Sequence, residues 1–74
     1  GKLFNKTFVI TGTLPTLSRD DAKTLIEDNG GKVASSVSSR TSYLLLGENP
    51  GSKYEDALQY GVPCMSEEDF KNML

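Results

Sequence analysis

The sequence of 74 residues has no histidine, no tryptophan, a single cysteine and no long apolar run, and each shortage removes a class of function. Without histidine there is no Ser–His or Cys–His relay, and with Cys64 as the one thiol a zinc site of the usual nitrogen–sulfur type is excluded. One thiol cannot build an intramolecular disulfide framework. A secreted domain this small usually needs such staples, so a reducing, cytoplasmic setting is expected. No stretch approaches the roughly 20 apolar residues of a membrane span, and the first residues lack the make-up of a signal peptide. Positive charge is also short. Eight Lys and Arg against ten Asp and Glu give a formal charge of −2, which by itself argues against nucleic acid, where a basic domain is expected.

What is present suits one soluble α/β domain. Hydrophobic residues make up 36% and charged residues 24%, too apolar a mixture for a disordered tail. For a chain of 8.0 kDa, surface scaling gives roughly 4,400 Å² folded against about 11,600 Å² unfolded, a single thin core spanning 1–74. The charge is uneven: residues 1–53 carry seven basic and five acidic side chains, residues 54–74 one and five. A small basic patch on the first two-thirds is therefore compatible with the negative total, because a ligand meets one face only. Glu67, Glu68 and Asp69 are expected to point away from that patch.

Hydrophobic patterning orders the elements. Thr7–Ile10 is a short β-branched and aromatic run stopping at Thr11-Gly12, the mark of a buried strand. Ser18 opens a helix as its cap, with Asp20 and Asp21 at the positive end of the dipole and Ala22, Leu25 and Ile26 as the apolar stripe. Gly30-Gly31 ends it. Lys32-Val33-Ala34 reads as a weaker second strand. Ser35–Ser42, with five serines and a threonine, reads as a loop. Tyr43–Leu46 is a third strand, apolar on both faces as in a parallel sheet covered on both sides. Ser52 and Glu55 form an S-x-x-E capping box for a second helix, with Ala57, Leu58 and Tyr60 available to the core and Gly61 closing it. Val62–Met65 is the fourth strand, at an edge because of Pro63. Ser66 caps a last helix, where Met65 and Phe70 have the spacing of a hydrophobic staple. Cys64 is expected as a small buried hydrophobe, and Tyr54 and Tyr60 as helix-face packing. The order β-α-β-β-α-β-α implies a four-stranded sheet flanked by helices.

Two loops carry the chemistry. Thr11-Gly12-Thr13 ends the first strand, and Gly51-Ser52-Lys53 opens the second helix. In open α/β sheets ligands gather at the carboxyl ends of strands, where strand order reverses. A Thr11 hydroxyl, a Gly12 N–H, helix N-terminal N–H groups and the Lys53 ammonium are the donors a phosphate needs, with Arg19 adding a guanidinium from one side. The same residues also have plain uses: Thr11 and Ser52 as turn or cap groups, Gly12 as a bend, Lys53 and Arg19 as solvated charges. Gly47–Tyr54 only mimics a nucleotide P-loop, since the glycine spacing is one residue short and Tyr54 stands where Ser or Thr should hold magnesium. Lys53-Tyr54-Glu55-Asp56 lacks the spacing and the glycine of a nucleotidyltransferase lysine motif. Glu67-Glu68-Asp69 fits a helix first turn rather than a cation site.

The segments Lys6–Leu14, Leu17–Lys23, Gly30–Val33, the strand entry Thr41-x-Tyr43-Leu44 and Gly47–Lys53 together resemble a BRCT domain. The resemblance is to the C-terminal BRCT module of bacterial NAD-dependent DNA ligases and covers roughly residues 3–74. It implies a three-layer fold with a parallel sheet in the order 2-1-3-4, the first and third helices on one face and the second on the other. It also implies a non-catalytic module for DNA replication and repair that helps hold nicked or 5′-phosphorylated DNA. The 5′-phosphate contacts would come from the Thr11 hydroxyl, the Gly12 N–H, Arg19 and Lys53. No catalytic residue, metal or cofactor falls to this domain; NAD and a divalent metal would belong to the rest of the ligase. The implied partners are DNA and the other ligase domains, for a monomer in a bacterial, nucleoid-associated cytoplasmic setting. The alternative is a protein-interaction or phosphopeptide module. One departure is visible: BRCT domains usually carry Trp in the last helix, where Phe70 stands here.

Overall fold

Alternation along two central strands builds the molecule outward in both directions. In the computed structural model, which describes residues 1–74, β1 (Thr7–Thr11) lies between β2 (Lys32–Val33) and β3 (Tyr43–Leu46), and β4 (Cys64–Met65) closes the far edge. All pairings are parallel and the order is β2-β1-β3-β4, as expected. Phe8, Val9, Ile10 and Thr11 stand opposite Tyr43, Leu44, Leu45 and Leu46. Phe8, Ile10 and Leu45 enter one core cluster with Ala22 and Ile26 of α1 (Arg19–Asp28) and Phe70 of α3 (Glu67–Met73). Val9 and Leu44 enter a second cluster with Ala57 of α2 (Ser52–Tyr60), Val37 and Val62. Helices α1 and α3 thus cover one face and α2 the other. The solvent-accessible surface is 4573 Å², close to the scaling value of roughly 4,400 Å² for this mass.

Two helices begin as their sequences require. Ser18 Oγ accepts from Asp21 N at 3.0 Å and Ser66 Oγ from Asp69 N at 3.2 Å. Helix α1 ends in a Schellman arrangement, with Gly30 N donating to Glu27 O and Gly31 N to Ile26 O. Phe70 is fully buried, with its ring 5.8 Å from Phe8 in an edge-on geometry. An aromatic pair of this kind contributes about 0.5–1.5 kcal/mol beyond its buried area. Met65 packs against the cluster that contains Phe70.

Three expectations fail. The cap of α2 is Gly51, in an extended conformation and without a side-chain hydrogen bond, so Ser52 is the first helical residue and the capping box is absent. On α2 only Ala57 is buried, while Leu58 and Tyr60 are 60% and 53% exposed. Val37, from the serine-rich loop, folds over that side of the sheet and takes the place reserved for them. Cys64 is exposed because β4 is a two-residue edge strand. Partial burial still pushes its thiol pKa up.

Candidate functional site

The two loops at the carboxyl end of the sheet are joined backbone to backbone. Gly47 N donates to Thr11 O at 2.8 Å, and Thr13 and Glu48 exchange hydrogen bonds of 2.9 and 2.8 Å in an isolated antiparallel bridge. This close approach explains Gly12. Its φ is +77°, and a Cβ there would lie 2.5 Å from Glu48 O and 2.9 Å from the Gly47 carbonyl carbon. Backbone offers no rotamer to escape the clash, so glycine is required by sterics before any question of ligand. The bridge holds the β1–α1 loop against the β3–α2 loop, which runs on into Ser52 and Lys53.

Several donors at this junction have no partner within the chain. No backbone hydrogen bond engages the N–H of Gly12, Ser52 or Lys53. The start of α2 is therefore uncapped, whereas α1 and α3 carry serine caps. Free N–H groups at a helix N-terminus attract an anion by hydrogen bonding and by the helix dipole. Thr11 is only 4% exposed, and none of the chain's side-chain hydrogen bonds uses its hydroxyl.

Beside this junction lies an open recess of about 310 Å³ between the start of α1, the end of β2 and the start of α2. Its apolar floor is Ile10, Val33 and Ala34; its rim carries Arg19, Lys23, Lys53, Ser35 and Asp20. Of the four residues singled out from the sequence, Arg19 and Lys53 line the recess. Thr11 and Gly12 do not line it, although they follow Ile10 directly in the chain. Lys53 is half-buried, and no carboxylate lies within ion-pair distance of it, because the chain's ion pair joins Lys71 to Glu67. Three cations face one carboxylate, that of Asp20. Lys23 and Ser35 were not foreseen. The spacing of Lys23 from Arg19, four residues along one helix, was the available signal; Ser35 gave none.

A second polar cluster lies at the same end of the sheet. Glu67 is buried at 7% exposure rather than turned away. Its Oε1 accepts from Thr16 N at 3.0 Å and Leu17 N at 2.7 Å, and its Oε2 accepts from the Thr16 hydroxyl at 2.8 Å. Lys71 Nζ donates to Thr16 Oγ1 at 2.8 Å and stands 3.8 Å from Glu67 Oε2. Burial opposes ionisation of this carboxyl, but the three hydrogen bonds and the Lys71 charge outweigh it and hold its pKa below the ordinary value. Glu68 and Asp69 remain exposed on the same turn. In a parallel sheet that turn follows the end of β4, so the acidic group sits at the recess end of the molecule, on the opposite flank from β2. Tyr54 and Tyr60 are exposed and lie outside both core clusters. No group of three acidic, thiol or imidazole side chains comes together as a metal site.

Residues 1–74 match the family model described as the BRCA1 C Terminus (BRCT) domain. The chain is 53% identical over 73 residues to a DNA ligase of Clostridium kluyveri and 52% identical over 73 residues to that of Thermosipho africanus, with 99% of this chain covered in each. A DNA ligase of Desulforamulus reducens is 51% identical over 72 residues, covering 97%. The chain spans about 11% of the length of each of these ligases. Among solved structures, Rad4 BRCT1,2 in complex with a Crb2 phosphopeptide superimposes with a TM-score of 0.85 at 21% identity, over 97% of this chain and 39% of the other.

Proposed function

The chain belongs to the BRCT family, and from that premise we propose that it is a non-catalytic module of a DNA ligase that grips the 5′-phosphate of nicked or phosphorylated DNA. The observation that carries this is Lys53: a half-buried lysine without an ion-pair partner that lines one recess with Arg19 and Lys23, its loop bridged to the one that carries the unpartnered N–H of Gly12. Three cations set against one carboxylate leave a local excess of positive charge that an anion would balance. Likeness to ligases over nearly the whole chain supports the parent enzyme. NAD, a divalent metal and the joining chemistry fall in this proposal to the remaining ligase domains, in DNA replication and repair.

In mechanism, a terminal phosphate monoester carries about −1.5 to −2 at neutral pH, against one charge for each internal phosphodiester. A compact set of three cations and free N–H groups thus favours an end or nick over continuous duplex. The Thr11 hydroxyl and Gly12 N–H orient the phosphate at the end of β1, Lys53 and the first turn of α2 balance its charge, and Arg19 and Lys23 take the adjoining backbone. The net charge of −2 does not prevent this. The molecule measures 28 × 25 × 19 Å, while exposed charges are screened over about 8–10 Å at physiological salt. Glu68 and Asp69 repel DNA on the β4 flank, so the strand approaches from β2.

A second reading has its own observation. Rad4 BRCT1,2, a fold neighbour, is seen with a phosphopeptide, and a phosphate on a peptide would meet the same donors. Fluorescence anisotropy with one duplex bearing or lacking a 5′-phosphate, across a salt series, decides. The expected result is phosphate-dependent binding that Thr11→Ala and Lys53→Ala each weaken, with Lys53→Ala lowering the salt slope by roughly 1. Equal binding of both duplexes, or wild-type binding by both variants, refutes the proposal.

A further inference from the structure

We infer that Glu67 is a positioning residue for the phosphate recess, acting through the β1–α1 loop on Arg19; the inference rests on the phosphate reading of that recess. The loop from Gly12 to Ser18 has two halves. The first is held by the Thr13–Glu48 bridge and by Leu14, buried in the core. The second half packs Leu17 against the core and is hydrogen-bonded to a helix some fifty residues away, chiefly to the Glu67 side chain. Thr16 N, Leu17 N and the Thr16 hydroxyl all donate to the Glu67 carboxylate, and Lys71 completes the group by donating to that hydroxyl.

Leu17 is followed directly by Ser18, the cap of α1, and by Arg19, its first residue and part of the recess rim. Two N–H groups on a single carboxylate oxygen fix the path of the chain more narrowly than apolar packing would, because charge-assisted hydrogen bonds are short and directional. The first turn of α1 is therefore set from α3, and a ligand-binding side chain is useful only when held within about 0.5 Å of its productive place. Glu67 itself touches the recess nowhere; its effect passes through the loop.

The test measures binding of duplexes with a 5′-phosphate or a 5′-hydroxyl to the wild-type chain, Glu67→Gln, Arg19→Ala and the double variant. Val62→Ala, which weakens the core on the opposite face of the sheet, is the control for lost stability. Wild type is expected to prefer the phosphorylated duplex. Glu67→Gln should lower its affinity for that duplex about fivefold, less than the roughly tenfold or greater loss for removing a charged contact outright. In the Arg19→Ala background the same change should alter affinity less than about twofold, because the two share one contact. If Glu67→Gln does not fold, Thr16→Ala, which removes the hydroxyl that Glu67 and Lys71 share, runs in both backgrounds: a loss of affinity for the phosphorylated duplex that shrinks below about twofold without Arg19 supports the inference, and no loss, or an equal loss in both, overturns it.

Glu67→Gln binding like wild type overturns the inference while leaving the phosphate site standing. An equal loss in both backgrounds, or the same loss in Val62→Ala, shows a merely structural role and also overturns it. Absence of any phosphate preference in the wild type removes the phosphate site, and this inference with it.

Discussion

Replacing Gly12 by alanine tests the junction on which the site depends. Two costs are separable there. The φ of +77° costs an L-residue roughly 1–2 kcal/mol, partly offset by about 0.4–1 kcal/mol because the unfolded chain becomes less flexible. Gly61 shares the first cost alone: its φ is +70° and nothing lies within 4 Å of an added Cβ. Gly61→Ala is therefore expected to lose about 1 kcal/mol. At Gly12 the new Cβ also meets Glu48 O at 2.5 Å and the Gly47 carbonyl carbon at 2.9 Å, and overpacking of this kind adds roughly 1–3 kcal/mol. The expected total is about 3 kcal/mol, against an overall stability of roughly 4–11 kcal/mol for a chain of this length. Urea unfolding with linear extrapolation measures both variants, and the thermal midpoint of Gly12→Ala should fall by roughly 12–24 °C. If Gly12→Ala lies within about 0.5 kcal/mol of Gly61→Ala, the two loops are not in backbone contact and the geometry of the site is wrong.

Other expectations are cheaper to check. Ser18→Ala and Ser66→Ala should each lose about 1 kcal/mol in urea unfolding, whereas Ser52→Ala, which caps nothing, should stay within about 0.5 kcal/mol of wild type. Glu67 gives a pH signature with a definite sign. Its folded pKa lies below the ordinary 4.5, so its contribution is fully present above that value and is lost as pH falls below it. Denaturation midpoints for wild type should drop more steeply below pH 4.5 than those for Glu67→Gln; parallel curves would contradict the assignment.

Sequence and structure agree where a signal is local and periodic. The run from Thr7 to Ile10 and the run from Tyr43 to Leu46 declared buried strands, the serine caps placed the starts of α1 and α3, and the terminal glycines the ends of α1 and α2. The strand order and the sides taken by the helices came from family resemblance rather than from periodicity. What stayed hidden depends on partners distant in sequence. Glu67 looked like any acidic first-turn residue, because nothing nearby reveals that Thr16 and Leu17 will meet it. Leu58 and Tyr60 looked like core because the reach of Val37 from a serine-rich loop cannot be read from spacing. Ser52 satisfied the capping-box pattern, yet an extended Gly51 took the cap position. Of the site, Arg19 and Lys53 were legible as basic residues at helix starts, while the recess adds Lys23 and Ser35 and leaves Thr11 and Gly12 out of its lining.

The most direct measurement maps the contact on the molecule itself. Amide chemical shifts of the chain are followed while a short duplex with a 5′-phosphate is added, and again with its 5′-hydroxyl counterpart. Phosphate-dependent shifts are expected to concentrate at Gly12, Arg19, Lys23, Ser52 and Lys53, with the outer face of α2 around Leu58 and Tyr60 unchanged. Shifts centred on that outer face, or an identical pattern with both duplexes, would contradict the proposed phosphate site.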